Sequence, residues 1–280
     1  MIENMLIPYI SPGFAESERY RQGQVKIVNP LPGTPVLGLH VPDMKKVARD
    51  LVRRDGFRDM LDGFEGQKAL YHEEKVIWGL MLDYAVMPQG ERQDRFSAFI
   101  REIDGWAVCD TVCGAARWAD SAKCDRQALW DWLGRMWGSV REFEVRFAVI
   151  MSMSHFLEEK WLPQIFGMTD SLDFTRVESA YLPYQTKSRR TVGKAAQAES
   201  DVLVRSGLGY VLPEGRSGRA PGAAPYYLRM GVAWMLATAL AKFPDATREY
   251  VRRSRLPEDV VRLYVRKARE SFRTRTVSPL

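Results

Sequence analysis

Residues 103–118, IDGWAVCDTVCGAARW, read as part of one helix, expected over about 104–119, and its side chains sort into two stripes. At 100° per residue, Val108, Cys109, Val112, Ala115, Ala116 and Ala119 form an apolar face suited to a core. Trp106, Asp110, Cys113 and Arg117 recur at i, i+4, i+7 and i+11 on the opposite side. A fixed carboxylate stabilises neighbouring positive charge and an indole face attracts cations, so Trp106 and Asp110 on one surface form a candidate site. The same residues also fit a structural role, with Trp106 packed on a neighbouring element and Asp110 paired with Arg117 or a helix end. The residues alone leave both readings open.

Three other features bear on chemistry. Arg146 stands at the start of the apolar run Phe147–Met153, and a guanidinium buried there without a partner is costly, so a carboxylate or a bound phosphate is expected beside it. Trp234 lies in the middle of a helix that is apolar around its whole circumference and, taken by itself, reads as core. Arg262, Arg266, Arg269 and Arg273 recur at i, i+4, i+7 and i+11, with Val260, Val261, Tyr264, Val265, Ala268 and Phe272 on the packed side. Such a row either holds nucleic-acid phosphates or is a solvated face. Cys109 and Cys113 could face a metal from one helix, but no other Cys or His is near in sequence, so they read as packed thiols and no metal is expected.

These residues need a helical frame, and helical periodicity dominates after residue 40, with strand-like alternation nearly absent. Pro42 and Asp43 mark a turn into a helix. Further helices are expected at about 70–86, 90–102, 104–119, 125–137, 141–158, 225–242, 245–254 and 257–273. Short connections imply antiparallel pairs, and their succession implies an all-α solenoid. Residues 176–224 interrupt it with a stretch rich in Gly, Ser, Ala, Arg and Pro, expected to be a mobile insertion. Eight Lys and Arg stand there against four Asp and Glu, so much of the net charge of +6 lies in a linker, or in an arm that holds phosphates.

The chain of 280 residues can bury a sizeable core as one large domain or two small ones. A pI of about 9.2 is compatible with a polyanionic partner. Three cysteines without framework spacing point to reduced thiols inside the cell. The start, MIENMLIPYISPGF, lacks the basic segment and apolar run of a secretory signal, and the longest apolar stretch, Met230–Ala241, is too short to span a bilayer. A soluble cytoplasmic protein is expected.

The Trp-x-x-x-Asp pair on one helix, the Arg opening a later apolar helix and the second tryptophan in VAWML resemble the AlkD-type alkylpurine DNA glycosylases, DNA alkylation repair proteins of tandem HEAT-like helical repeats. VLGLHVPDMKKVARDL looks like their early helix, YHEEKVIWGLML like the next pair, and YYLRMGVAW with RKARESFR like their C-terminal part. The resemblance covers most of the chain outside the insertion and implies one HEAT-like domain over 1–280. By motif it makes Trp106, Asp110 and Trp234 the cleft residues around a lesion and Arg146 a basic residue near it. Two departures stand out: the insertion before Tyr226, and Ala237 where better-known members have an Arg three residues after the second tryptophan.

The implied chemistry is hydrolysis of the N-glycosidic bond of N3- and N7-alkylated purines in duplex DNA. Alkylation makes the base cationic and a good leaving group. As the bond breaks the sugar acquires oxocarbenium character, which a carboxylate at Asp110 stabilises more in the transition state than in the ground state. Trp106 and Trp234 would flank the charged nucleotide, while Arg117, Arg146, Arg262, Arg266, Arg269 and Arg273 would hold DNA. No lysine nucleophile stands in these motifs, so a monofunctional enzyme without cofactor, acting as a monomer, is expected. The resemblance further implies that the lesion need not be extruded into a deep pocket, as most glycosylases require. The alternative is a non-catalytic HEAT-like scaffold binding DNA or protein, in which Asp110 merely pairs with Arg146 or Arg117.

Overall fold

The computed structural model describes residues 2–67, 70–181, 209–210 and 224–280. Among them there is no strand, only the isolated bridges Val36↔Tyr210 and Arg141↔Glu178, and the chain is all-α. The helices are α1 (Glu3–Leu6), α2 (Pro12–Glu16), α3 (Glu18–Val28), α4 (Val41–Leu51), α5 (Phe57–Glu65), α6 (His72–Tyr84), α7 (Gln89–Ile100) and α8 (Trp106–Cys113). After them come α9 (Arg126–Trp137), α10 (Glu142–His155), α11 (Leu162–Asp170), α12 (Tyr226–Lys242), α13 (Pro244–Arg253) and α14 (Glu258–Glu270). None of these is long and apolar enough to cross a membrane.

Backbone contacts divide the described chain into two compact units. The first runs to Cys124 and includes Ala180, Tyr181, Gly209 and Tyr210; the second holds Asp125–Ser179 and the described residues from 224 onward. In the first, α6 is the buried centre and packs against α4, α7 and α8. Gly79 of α6 permits the approach: a Cβ there would lie 2.4 Å from Val112 Cγ2 of α8 and 2.6 Å from Phe99 Cζ of α7. The Glu73 carboxylate in the first turn of α6 accepts the N–H groups of Leu37, Gly38 and Leu39 at 2.9, 2.7 and 3.3 Å, tying the loop before α4 to that centre. In the second unit α12 packs against α10, α13 and α14, and α10 against α9.

Most of the expected helices are present with trimmed ends, α10 stopping at His155 and not at 158, and for two others the cause of the early end is visible. The helix expected to reach residue 119 stops at Cys113. The N–H groups of Ala115 and Ala116 bond back to Val112 and Cys113, tightening the chain into a turn, and a separate 3-10 segment covers Arg117–Asp120. The last helix ends at Glu270, where extended Ser271 breaks it. Short or polar α1, α2 and α3, together with α5 and α11, were not anticipated. Of the insertion expected at 176–224, Val177, Ser179 and Tyr181 are buried and Glu178 bridges to Arg141, so packing continues to residue 181. Its residues 182–208 and 211–223, and with them its expected mobility, lie outside the described residues.

Candidate functional site

Helix α8 carries the candidate pair. Val108, Cys109, Val112 and Cys113 are buried, while Trp106, Ala107, Asp110 and Thr111 form a half-buried outer stripe. Trp106 and Asp110 are one helical turn apart, about 6 Å along the axis. Cys113, expected on that outer stripe, is instead fully buried with Cys109 at the helix end where the chain turns back. Burial, with Cys109 and the Asp110 and Asp83 carboxylates nearby, pushes its thiol well above the usual range, leaving a packed group and not a nucleophile. Arg117 is exposed but lies in the 3-10 segment, so the expected helical row from Trp106 does not reach it.

The start of α8 is held from several directions. The Trp106 indole N–H donates to the Ile27 carbonyl in the last turn of α3 at 3.2 Å. What Trp106 can offer a ligand is therefore its ring and not its donor. Two residues earlier, the Asp104 carbonyl accepts the Leu31 N–H at 2.9 Å, and the buried Asp104 carboxylate pairs with Lys75 of α6 at 3.0 Å. Although burial opposes ionisation, the Lys75 ammonium, with a further electrostatic effect of His72, holds the Asp104 carboxyl below the usual carboxylate range.

The far end of α8 is joined to α6 through Trp118. Its indole N–H donates to Asp83 Oδ1 at 3.0 Å, and the Arg92 guanidinium lies 5.1 Å from its ring centroid. Arg92 also donates to the Leu82, Asp83 and Ala85 carbonyls, satisfying acceptors at the end of α6. Burial pushes the Asp83 carboxyl well above its usual range despite Trp118 and Arg92.

In the second unit, Arg146 is an interior residue at 4% exposure, not a surface cation. Its guanidinium donates to the Tyr227 carbonyl of α12 and lies against Gly231, where a Cβ would be 3.1 Å from Nη1. One turn earlier on α10, the buried Glu142 accepts the N–H groups of Tyr227 and Leu228 at 2.7 and 3.3 Å. Glu142 and Arg146 thus grip the N–H and the C=O of one residue, and the carboxylate meets the positive end of the α12 dipole. That grip fixes the helix that carries Trp234.

Trp234 is 39% exposed, which corrects its reading from hydropathy as a core residue. On α12 it occupies a narrow outer row with Tyr227, Met230, Thr238 and Ala241, while Leu228, Val232, Met235, Leu236 and Leu240 are buried. Ala237 faces inward and is buried, so an arginine there would have to fit the interior of this unit.

The basic row of α14 is shorter and less uniform than expected. Arg262, Arg266 and Arg269 are exposed beside a shallow groove of about 550 Å³ whose lining includes Val261, Val265 and Leu280. Glu258 pairs with Arg262 at 2.6 Å and Glu270 with Arg266 at 3.7 Å. Arg273 is exposed but beyond the end of the helix, and Phe272, expected on the packed side, is 79% exposed.

The positioning residues Glu73, Asp104 and Glu142 were missed as such in the sequence. Glu73 and Glu142 shared one signal, an acidic residue in the first turn of a helix that is otherwise apolar.

Comparison with known proteins bears on what this arrangement serves. Neither curated proteins nor solved structures give a match. A family model described as DNA alkylation repair enzyme matches residues 15–172, more than half of the chain, a span that holds Trp106, Asp110, Arg117 and Arg146. The chain therefore belongs to the DNA alkylation repair enzyme family.

Proposed function

We propose that the protein is a monofunctional DNA glycosylase that hydrolyses the N-glycosidic bond of N3- and N7-alkylated purines in duplex DNA and leaves an abasic site. The observation that carries this reading is the outer stripe of α8, where an indole and a carboxylate are accessible on a helix whose opposite face is locked into α6. Asp110 stabilises the oxocarbenium character of the sugar as the base leaves and orients the attacking water. Trp106, its N–H already engaged, presents its ring to a cationic nucleotide. In the second unit Trp234 offers an exposed indole and Arg262, Arg266 and Arg269 offer guanidiniums to the duplex; Arg117 adds an exposed cation in the first. Arg146, being buried, serves by holding α12.

The test is single-turnover release of 7-methylguanine from an otherwise normal duplex by wild type and Asp110→Asn. Wild type releases the base, and the variant loses at least about 100-fold in rate while binding the duplex as before. Equal rates refute the role of Asp110. Absence of release of this base and of N3-substituted and bulky lesions by wild type refutes the excision reading and leaves a binding scaffold.

A further inference from the structure

We infer that Tyr181 is a positioning residue for Trp106, acting through the last turn of α3; its link to catalysis rests on the excision reading above. The indole of Trp106 is oriented by its bond to the Ile27 carbonyl, one of the acceptors a helix leaves open at its C-terminus. The direction of the ring therefore follows that turn. One side of the turn is held by apolar packing, with Val25 buried beside Phe14 and Val36 and Val28 packed against that cluster, but Ile27 itself is 60% exposed.

The exposed side of the turn, where Ile27 lies, is fixed by polar contacts. Asn29 closes α3 at φ 43° and ψ 59°, the one non-glycine residue with positive φ among the described residues, a conformation that asparagine tolerates better than most. Its N–H bonds the Val25 carbonyl at 2.8 Å, and its own carbonyl accepts the Tyr181 hydroxyl at 2.5 Å. Leu31, two residues on, donates to the Asp104 carbonyl, and Gly105 lies against the same turn, with the nearest atoms to a Cβ there being Asn29 O and Pro30 Cα at 3.5 Å. The end of α3 and the start of α8 thus form a closed loop of contacts within the first unit. Tyr181, 152 residues beyond Asn29 and fully buried, holds that loop from outside.

The experiment uses the full chain with Tyr181→Phe, which removes one hydroxyl and keeps the ring. Three quantities are read: the ¹⁵N-edited indole N–H resonance of Trp106, identified by its loss in Trp106→Phe; the single-turnover rate on a 7-methylguanine duplex; and the Kd for that duplex. The resonance moves, the rate falls about ten-fold because a small misplacement of a reacting group costs that order of rate, and Kd stays within about two-fold. Tyr250→Phe, which removes a buried hydroxyl bonded to Asp170 in the second unit, leaves the resonance and the rate unchanged. If Tyr181→Phe does not fold, Asn29→Ala, which disfavours positive φ, moves the resonance while Asn29→Gly, which permits it, does not. An unmoved resonance in folded Tyr181→Phe, or in Asn29→Ala where that replaces it, overturns the inference. So does an unchanged rate in Tyr181→Phe when wild type excises. If wild type releases no base, the excision reading fails and the resonance alone decides the placement of Trp106.

Discussion

Replacing Asp104 by Asn should destabilise the first unit in a way that depends on pH. Asp104 and Lys75 form an ion pair at 3.0 Å with side-chain exposures of 3% and 12%. Removing the carboxylate charge leaves the ammonium without its counter-charge in a poorly hydrated place, at a cost of about 3–5 kcal/mol; the residual exposure of Lys75 favours the lower end. At about 2–4 °C per kcal/mol for a protein of this size, Tm falls by at least about 6 °C at pH 7. The main-chain bond from Leu31 to the Asp104 carbonyl survives the substitution, so the loss reports the side chain.

The pH dependence has a definite sign. The folded-state pKa of Asp104 is held below its ordinary value of 3.8, so the stabilisation is fully present above that value and is lost as pH falls through the depressed pKa. The gap in Tm between wild type and Asp104→Asn is therefore constant near neutrality and narrows below about pH 4. Combining Lys75→Met with Asp104→Leu removes both charges and recovers most of the loss, because the penalty of the single variant is mainly the stranded charge. Thermal unfolding followed by circular dichroism at several pH values measures all three. A Tm within about 1 °C of wild type at pH 7, or a gap that widens in acid, refutes the reasoning.

Asp83→Asn should behave in the opposite sense. Its folded-state pKa is raised by burial, so ionisation penalises the fold at high pH and stability grows as pH falls toward 3.8. The amide keeps an acceptor for the Trp118 indole, and the variant is as stable as wild type or more so at pH 8, with the difference disappearing near pH 4; a less stable variant at pH 8 contradicts this. Changing Arg262, Arg266 and Arg269 together to Gln should reduce the slope of log K for duplex DNA against log salt by about 0.9 for each phosphate left without its guanidinium, roughly two to three in all. An unaltered slope removes the row from the DNA contact and leaves Arg262 and Arg266 to their ion pairs with Glu258 and Glu270.

What was legible in the sequence depended on how far away each residue's partner stands. Asp110 contrasts with buried Val108, Cys109 and Val112 on its own helix, so periodicity placed it on the outer side. Trp234 has no such contrast: its outer row of Tyr227, Met230, Thr238 and Ala241 is scarcely more polar than the buried rows, and only the family resemblance singled it out. The stop at Cys113 was hidden because the alanines at 115, 116 and 119 are strong helix formers, while the contact that draws the chain away is Trp118 on Asp83, 35 residues earlier. Arg146 was legible as buried from its apolar neighbours, but its acceptor lies 81 residues on, and nothing local distinguishes a backbone carbonyl from a phosphate as that partner. The same limit applies to Trp106, whose ring direction depends on a turn 79 residues before it. Local pattern therefore placed the Asp110 side chain but misplaced those of Cys113, which is buried, and Trp234, which is exposed. The contacts that orient the candidate site's side chains come from carboxylates at helix starts and from turns far off in the chain, and those are the positions at which substitution tests the site without touching it.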